Sequence, residues 1–275
     1  MDSIKSIIKP WVPPAILQML RSLLHKEIYW KGSYPTWGTA VALSSGYHAD
    51  VILEKVLDAT LKVKRGEFAF ERDSILFQKI QYSWPVTAAL MLAAAKNSGE
   101  LHVLDFGGAL GSSYFQNRPF LLGLKKVSWS VVEQSNFVHA GERYIQNDII
   151  KFFNTIKDCL KVNKPNVILL SSVAQYLPHV DDLISEINKI DASILIFDRT
   201  PFALDEREKI CIQIVPEKIC KVSYPMRILS LRNLLSSLTN WKLTEEFLCP
   251  EGVRHVFFGP SMEFLGLIFE RANDR

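Results

Sequence analysis

The segment Val103–Phe115, VLDFGGALGSSYF, holds the residues best placed for chemistry. An apolar run ends at the carboxylate of Asp105, and Gly107, Gly108 and Gly111 follow before Ser112 and Ser113. Glycine accepts positive φ and lets a ligand come close to the backbone. A helix opening behind such a turn, with Ser112 or Ser113 as N-cap, offers free N–H groups to a carboxylate or phosphate. A plain strand–helix connection would use the same residues. Glu133 closes the next apolar run, VSWSVVE, where a carboxylate can accept both hydroxyls of an adenosine ribose. The plainer alternative is a glutamate opening a helix, favoured by the dipole. The six histidines (His25, His48, His102, His139, His179 and His255) show no metal-ligand spacing, so no metal site is expected. His179 and His255 are left as candidate bases.

Short apolar runs position these residues: Leu101–Phe106, Val127–Val132, Ile149–Phe153, Val167–Leu170 and Ile194–Phe197. They alternate with helical stretches, which predicts a parallel sheet covered on both faces. Glycine turns between such strands and helices lie where α/β sheets bind their ligands. After Asp198 the order changes. Ile210–Val215 reads as a strand and Ser230–Leu238 as a helix. Lys242–Leu248 and Phe264–Phe269 follow as strands with no room for a crossover helix, which predicts an antiparallel edge pair. Upstream, helical patterning covers Ala49–Lys62 and Val86–Lys96, and the aromatic stretch from Tyr29 to Tyr47 reads as a structured loop. The expected division is a helical N-terminal extension, 1–98, and an α/β domain, 99–275.

Composition narrows the function classes. The 275 residues include 32 Lys and Arg against 29 Asp and Glu, too balanced to argue for nucleic acid. At 48% hydrophobic and 22% charged, the chain is an ordinary globular one. The longest apolar run, Ala88–Ala95, falls far short of the ~18 residues of a membrane span. Cys159, Cys211, Cys220 and Cys249 lack CxxC spacing and read as buried small hydrophobes in a reducing, cytoplasmic compartment. Residues 1–26 make a poor signal peptide, because Pro13 and Pro14 interrupt the apolar stretch. Two short amphipathic helices are expected there. Their apolar faces suit weak peripheral contact with an anionic membrane or packing on the body of the protein. The few basic residues favour packing.

The turn is Gly-Gly-x-x-Gly, not the G-x-G-x-x-G of dinucleotide folds, and Asp105 stands immediately before it. LDFGGALG resembles motif I of class I S-adenosylmethionine-dependent methyltransferases, whose acidic residue orders the loop near the methionine end of the cofactor. The usual D-x-G-x-G-x-G pattern has glycine where this chain has Ala109. A narrower resemblance runs through KGSYPTWGTAVALSSGY, RDSILFQKIQYSWPVTAALMLAAA, LDFGGALGSSYFQNR, WSVVEQSNFVHAG, LLSSVAQYL and IFDRTP, in that order. These segments resemble a family of methyltransferases encountered among bacterial polysaccharide and cell-surface glycan biosynthesis genes.

The resemblance implies a Rossmann-like α/β fold with a seven-strand-type sheet, S-adenosyl-L-methionine as cofactor, and Asp105, Gly107, Gly108, Gly111 and Glu133 around it. It places Asn154 and Thr155 by the adenine, with helix capping as the alternative. Ser171 and Ser172 fall at the cofactor cleft, with Gln175 and Tyr176 at its lip. Tyr82 and Trp84 would close over the cofactor or simply pack in the core. Asp198, Arg199 and Thr200 end the fifth strand on the acceptor side. Asp198 is then the candidate base and Arg199 a candidate clamp for a phosphate or carboxylate of the acceptor, with Tyr176 beside them; a structural Asp–Arg pair is the alternative. A small-molecule or glycan acceptor, such as a nucleotide- or lipid-linked sugar, follows from the family context. Two other classes stay open: a non-catalytic methyltransferase-like scaffold, suggested by Ala109, and a nicotinamide-dependent enzyme.

Overall fold

The computed structural model describes residues 28–45, 49–216, 222–256 and 259–272. The expected amphipathic helices of 1–26, together with Cys220, His25 and His48, lie outside the described residues. The described chain opens with β1 (Tyr29–Tyr34), α1 (Trp37–Ala42), α2 (Ala49–Lys64), the hairpin β2 (Phe70–Arg72) and β3 (Ile75–Phe77), and α3 (Trp84–Lys96). An alternating array follows: β4 (Glu100–Phe106), α4 (Ser112–Leu121), β5 (Lys126–Val132), α5 (Ser135–Tyr144), β6 (Ile150–Phe153), α6 (Ile156–Val162), β7 (Val167–Ser171), α7 (Val180–Ile187) and β8 (Ile194–Ala203). The chain ends with β9 (Lys209–Val215), β10 (Val222–Ile228), α8 (Leu231–Ser237), β11 (Trp241–His255) and β12 (Ser261–Arg271).

A seven-stranded sheet has the order β11-β12-β8-β7-β4-β5-β6. The pairs β4–β5, β4–β7, β5–β6 and β7–β8 are parallel. Val167 to Leu170 and Ile194 to Phe197 are entirely buried, as strands covered on both faces must be. The connection from β11 to β12 is too short for a crossover, so the pair is antiparallel. Against β8, the Arg271 N–H donates to the Ser193 carbonyl (3.0 Å) and the Leu204 N–H to the Ser261 carbonyl (3.3 Å), so β12 runs in reverse. The helices bury apolar stripes against the sheet; in α7, Val180, Leu183, Ile184 and Ile187 recur at helical spacing and are all buried. Among the described residues no helix is long and apolar enough to cross a membrane.

The chain divides into two compact units. The larger takes residues 48–200, 231–252 and 264–275, and so holds α2, the β2–β3 hairpin and α3 together with the parallel strands. The border expected between 98 and 99 is not among its limits. The smaller unit has a sheet of order β1-β9-β10, with Ile210, Ile212 and Ala40 buried at its centre. The stretch expected as a loop from Tyr29 is thus a strand and then a helix. Strand β1 pairs with β9 about 180 residues away, and the Trp30 indole N–H donates to Gln213 Oε1 at 2.9 Å. Nothing local in the sequence announces that partner.

Candidate cofactor and acceptor site

The glycine turn leaves the carboxyl end of β4. Asp105 is fully buried (0% exposed); its Oδ2 accepts the Trp129 indole N–H at 2.9 Å, and Oδ1 has no partner among the described residues. Burial, with Glu133 adding to it, pushes this carboxyl up to about 7. Gly107 has φ 69°, and a Cβ there would lie 2.3 Å from Val173 Cγ2. Gly108 is glycine for a different reason: a Cβ would lie 2.5 Å from the Asp105 carboxyl carbon. Ala109, which departs from the resembled motif, has φ 49°. It adopts the left-handed conformation that a glycine would take freely, at a cost of ~1–2 kcal/mol. Gly111 (φ 91°) is the N-cap of α4. The loop keeps a left-handed bend at 109 without the glycine.

Glu133 sits at the end of β5, half-buried, with its N–H bonded to the Phe153 carbonyl at 3.0 Å. Burial raises its carboxyl, opposed by hydrogen bonds from the Gln134 and Ala109 N–H groups. The Gly107 N–H, donating to the Val132 carbonyl at 2.9 Å, ties this strand end to the glycine turn. Asn154 is exposed after β6, while Thr155 caps α6, its Oγ1 accepting from the Asp158 N–H at 3.1 Å.

The end of β7 and the middle of β8 meet at Asp198, which pairs with Ser171 across the sheet and is 7% exposed. Ser171 Oγ donates to its Oδ2 at 2.7 Å, and Ser83 Oγ, at the start of α3, lies 3.5 Å from Oδ1. Burial raises the Asp198 carboxyl, with Ser171 and Arg199 opposing. Ser172 (φ 55°) and Arg199 (φ 53°) are both left-handed, and the Ser172 N–H donates to the Asp198 carbonyl at 2.9 Å. The fully buried Gln175 braces the pair: its Nε2 donates to Ser172 Oγ (3.0 Å) and to the Arg199 carbonyl (3.4 Å). Ala109 and Ser172 follow the carboxyl ends of β4 and β7, and Arg199 lies within β8 just past its apolar run, so three neighbouring strands carry a left-handed non-glycine residue here. Strain of this kind gathers at functional sites.

The Arg199 guanidinium does not pair with its neighbour Asp198. It donates to Glu251 Oε1 at 2.7 Å and to Asp73 Oδ2 at 3.3 Å. Burial works against its charge, but Asp73, Glu251 and Asp198 outweigh burial and raise its pKa. Tyr176 is half-buried just beyond β7. Trp84 is 60% exposed and packs with Tyr82 and Phe120, ring centroids 4.8 and 5.8 Å away. His179 is exposed at the start of α7, and exposed His255 bonds Ser261 at 2.7 Å, so neither joins this cluster of bonds.

Sequence reasoning missed Glu71, Asp73, Ser83 and Glu251. Glu71 is buried in β2, accepting from the Ser112 hydroxyl at the first turn of α4 and from the Ser74 N–H at 3.2 Å. Burial pushes it up to about 7. A lone glutamate in a three-residue strand carries no signal that a sequence pattern could show.

A mostly parallel sheet with a reversed edge pair, and a glycine turn and acidic residues at its first two strand ends, define a Rossmann-like α/β fold. No family model matches the chain, and no curated protein matches it. Among solved structures, the N-terminal domain of EvdMO1, in the presence of S-adenosylhomocysteine and D-fucose, is similar at 12% identity and TM-score 0.47, over 80% of this chain and 97% of that one. An S-adenosylmethionine-dependent methyltransferase from Clostridium acetobutylicum is similar at 10% identity and TM-score 0.45, over 68% and 91%. Magnesium protoporphyrin IX methyltransferase from Synechocystis shows 17% identity and TM-score 0.40, over 68% and 77%. Identities and scores this low assign neither a family nor an activity.

Proposed function

We propose that the chain is an enzyme that binds S-adenosyl-L-methionine and transfers its methyl group to an oxygen or nitrogen of a small-molecule or glycan acceptor. The observation that carries this reading is the joined pair of strand ends, where the glycine turn after β4 lies beside Glu133 after β5 and Asp105 leaves a buried oxygen unpartnered among the described residues. These residues fit the group: a carboxylate for ribose hydroxyls beside a loop shaped for close approach. When bound, the cofactor supplies a methyl group on a sulfur whose positive charge already activates it.

The chain then has to align, dry and deprotonate. Glu133 would hold the ribose, with Asn154, Ser171 and Ser172 around the nucleoside end. Asp198, steadied by Ser171 and Ser83, would take the proton of an acceptor hydroxyl. Arg199 could clamp an anionic acceptor only by trading away Glu251 or Asp73. Tyr176 stands beside this group as a candidate acceptor contact. The six resembling segments support an acceptor from cell-surface polysaccharide synthesis, a nucleotide- or lipid-linked sugar. The basic, apolar segment 1–26 would suit work beside the membrane.

Titration calorimetry with S-adenosylmethionine, S-adenosylhomocysteine and NAD tests the reading. Wild-type protein is expected to bind the first two and not NAD; binding of NAD alone would reject it. Glu133→Ala should weaken S-adenosylhomocysteine by roughly tenfold or more, the equivalent of one lost hydrogen bond to a charged group. Gly107→Val should abolish binding in a folded protein, since a β-branched residue is strained at φ 69° and would strike Val173.

A further inference from the structure

Strand β2 is pinned on both sides of Arg72. Glu71 accepts from the Ser112 hydroxyl at the first turn of α4, and Asp73 Oδ2 accepts from Arg199 at 3.3 Å. The residue between these tethers is a half-buried arginine. Its guanidinium lies over the Phe70 ring, 5.4 Å from the centroid, and makes no hydrogen bond or ion pair among the described residues. Arg199 repels it, while Glu251, Asp73 and Asp198 attract it without touching it. A cation drawn partly out of water is costly until a counter-ion bonds it. The two carboxylates on Arg199 are not held alike. Glu251, its side chain 20% exposed, bonds Nε at 2.7 Å from within β11. Asp73, its side chain 66% exposed, reaches Nη2 at 3.3 Å from the tip of the β2–β3 hairpin. An exposed ion pair of that kind contributes little. Glu251 is therefore the fixed partner and Asp73 the exchangeable one.

Resting on the function proposed above, we infer that Asp73 keeps the place of an oxyanion of the acceptor, a phosphate or a carboxylate, which displaces it from Arg199 and takes Arg72 as its second arm. Planar guanidinium groups bind either oxyanion through paired N–H donors. Arg199 stays anchored by Glu251 throughout the exchange, and Arg72 gains the bonded counter-ion that it lacks. Asp198 feels Arg72 as well as Arg199, so an anchor here holds the acceptor on the side of the candidate base. A neutral sugar gains nothing from it.

The test is calorimetric titration of the full chain, in saturating S-adenosylhomocysteine at low salt, with inorganic phosphate, D-glucuronate and D-glucose. At least one anion should bind and glucose should not; the anion that binds names the acceptor group. Arg72→Gln should weaken that anion by roughly tenfold or more, as loss of a charged donor does. Asp73→Asn should tighten it several-fold, because asparagine tolerates the left-handed φ of 52° and gives up only the competing charge. A purely structural Asp73 would leave the affinity unchanged or lower it. The inference is overturned if neither anion binds, if glucose binds as well as they do, if Arg72→Gln binds like wild type, or if Asp73→Asn binds no more tightly. Should Arg72→Gln fail to fold, phenylglyoxal labelling of wild-type protein takes its place. Arg72 should then be modified before the paired Arg199, and the anion should protect it; an Arg72 that the anion leaves unprotected overturns the inference equally. Wild-type protein that does not bind S-adenosylhomocysteine rejects the functional reading itself, and binding of it without this anion pattern rejects only the anchor.

Discussion

Asp198→Asn is expected to cut methyl transfer by about 10²–10⁴-fold, the range general-base catalysis usually supplies, with affinity for S-adenosylhomocysteine nearly unchanged. The side chain has the burial and partners of a held base. Only 7% exposed, it is raised by burial towards the range where a carboxylate can take a proton, while Ser171 fixes one oxygen at 2.7 Å. Asparagine keeps the shape and still accepts from Ser171, so the strand end should survive. Single-turnover rates and S-adenosylhomocysteine titrations on the same preparation separate the outcomes. A lost affinity with an unchanged rate would make Asp198 a shaper of the cleft. An unchanged rate and affinity would move the search for a base elsewhere.

The parallel strands were legible because burial on both faces leaves a continuous apolar run. Val167–Leu170 is such a run, and it is entirely buried. Strand β8 was harder. Its apolar run stops at Phe197, but the strand continues through Asp198, Arg199 and Pro201 to Ala203. The polar residues that interrupt the pattern are the ones the candidate site uses, and Arg199 is left-handed there. Strands β1 and β10 gave no comparable signal, since each is paired with β9, and β1 finds it only across most of the chain.

The same division holds within the site. Asp105, Gly107 and Glu133 could be read because a turn or strand end ties them to a local motif. Glu71 and Glu251 could not, because their roles arise when a short hairpin and an edge strand meet the ends of other elements. Glu71 reaches Ser112 from 41 residues upstream, and Glu251 reaches Arg199 from the sheet edge. Ala109 shows the opposite case. It stands where the resembled motif has glycine, yet its backbone takes the left-handed form glycine favours.

Buried acids should also leave a mark on stability that needs no ligand. Asp105 titrates near 7 in the folded protein against 3.8 for the unperturbed group, and Glu71 near 7 against 4.5. Between those values the folded chain binds more protons than the unfolded chain, so these two groups make stability fall as pH rises. Their penalty is absent below about pH 4, grows through pH 5 and 6, and is complete above about 7. At about 1.4 kcal/mol per pH unit, Asp105 alone costs on the order of a few kcal/mol at pH 8. The acids near the surface with lowered pKa values, Glu67, Glu100, Asp158 and Asp205, pull the other way but weakly, because solvent screens them. Comparing variants with wild type cancels that background. Urea unfolding of Asp105→Asn and Glu71→Gln should match wild type most closely at pH 4 and exceed it increasingly towards pH 8. Asp105→Asn keeps an acceptor for the Trp129 N–H; Glu71→Gln keeps one for Ser112 or for the Ser74 N–H but not both, a loss that does not vary with pH. A difference that stays constant from pH 4 to 8 would show that neither carboxyl holds its proton into the neutral range.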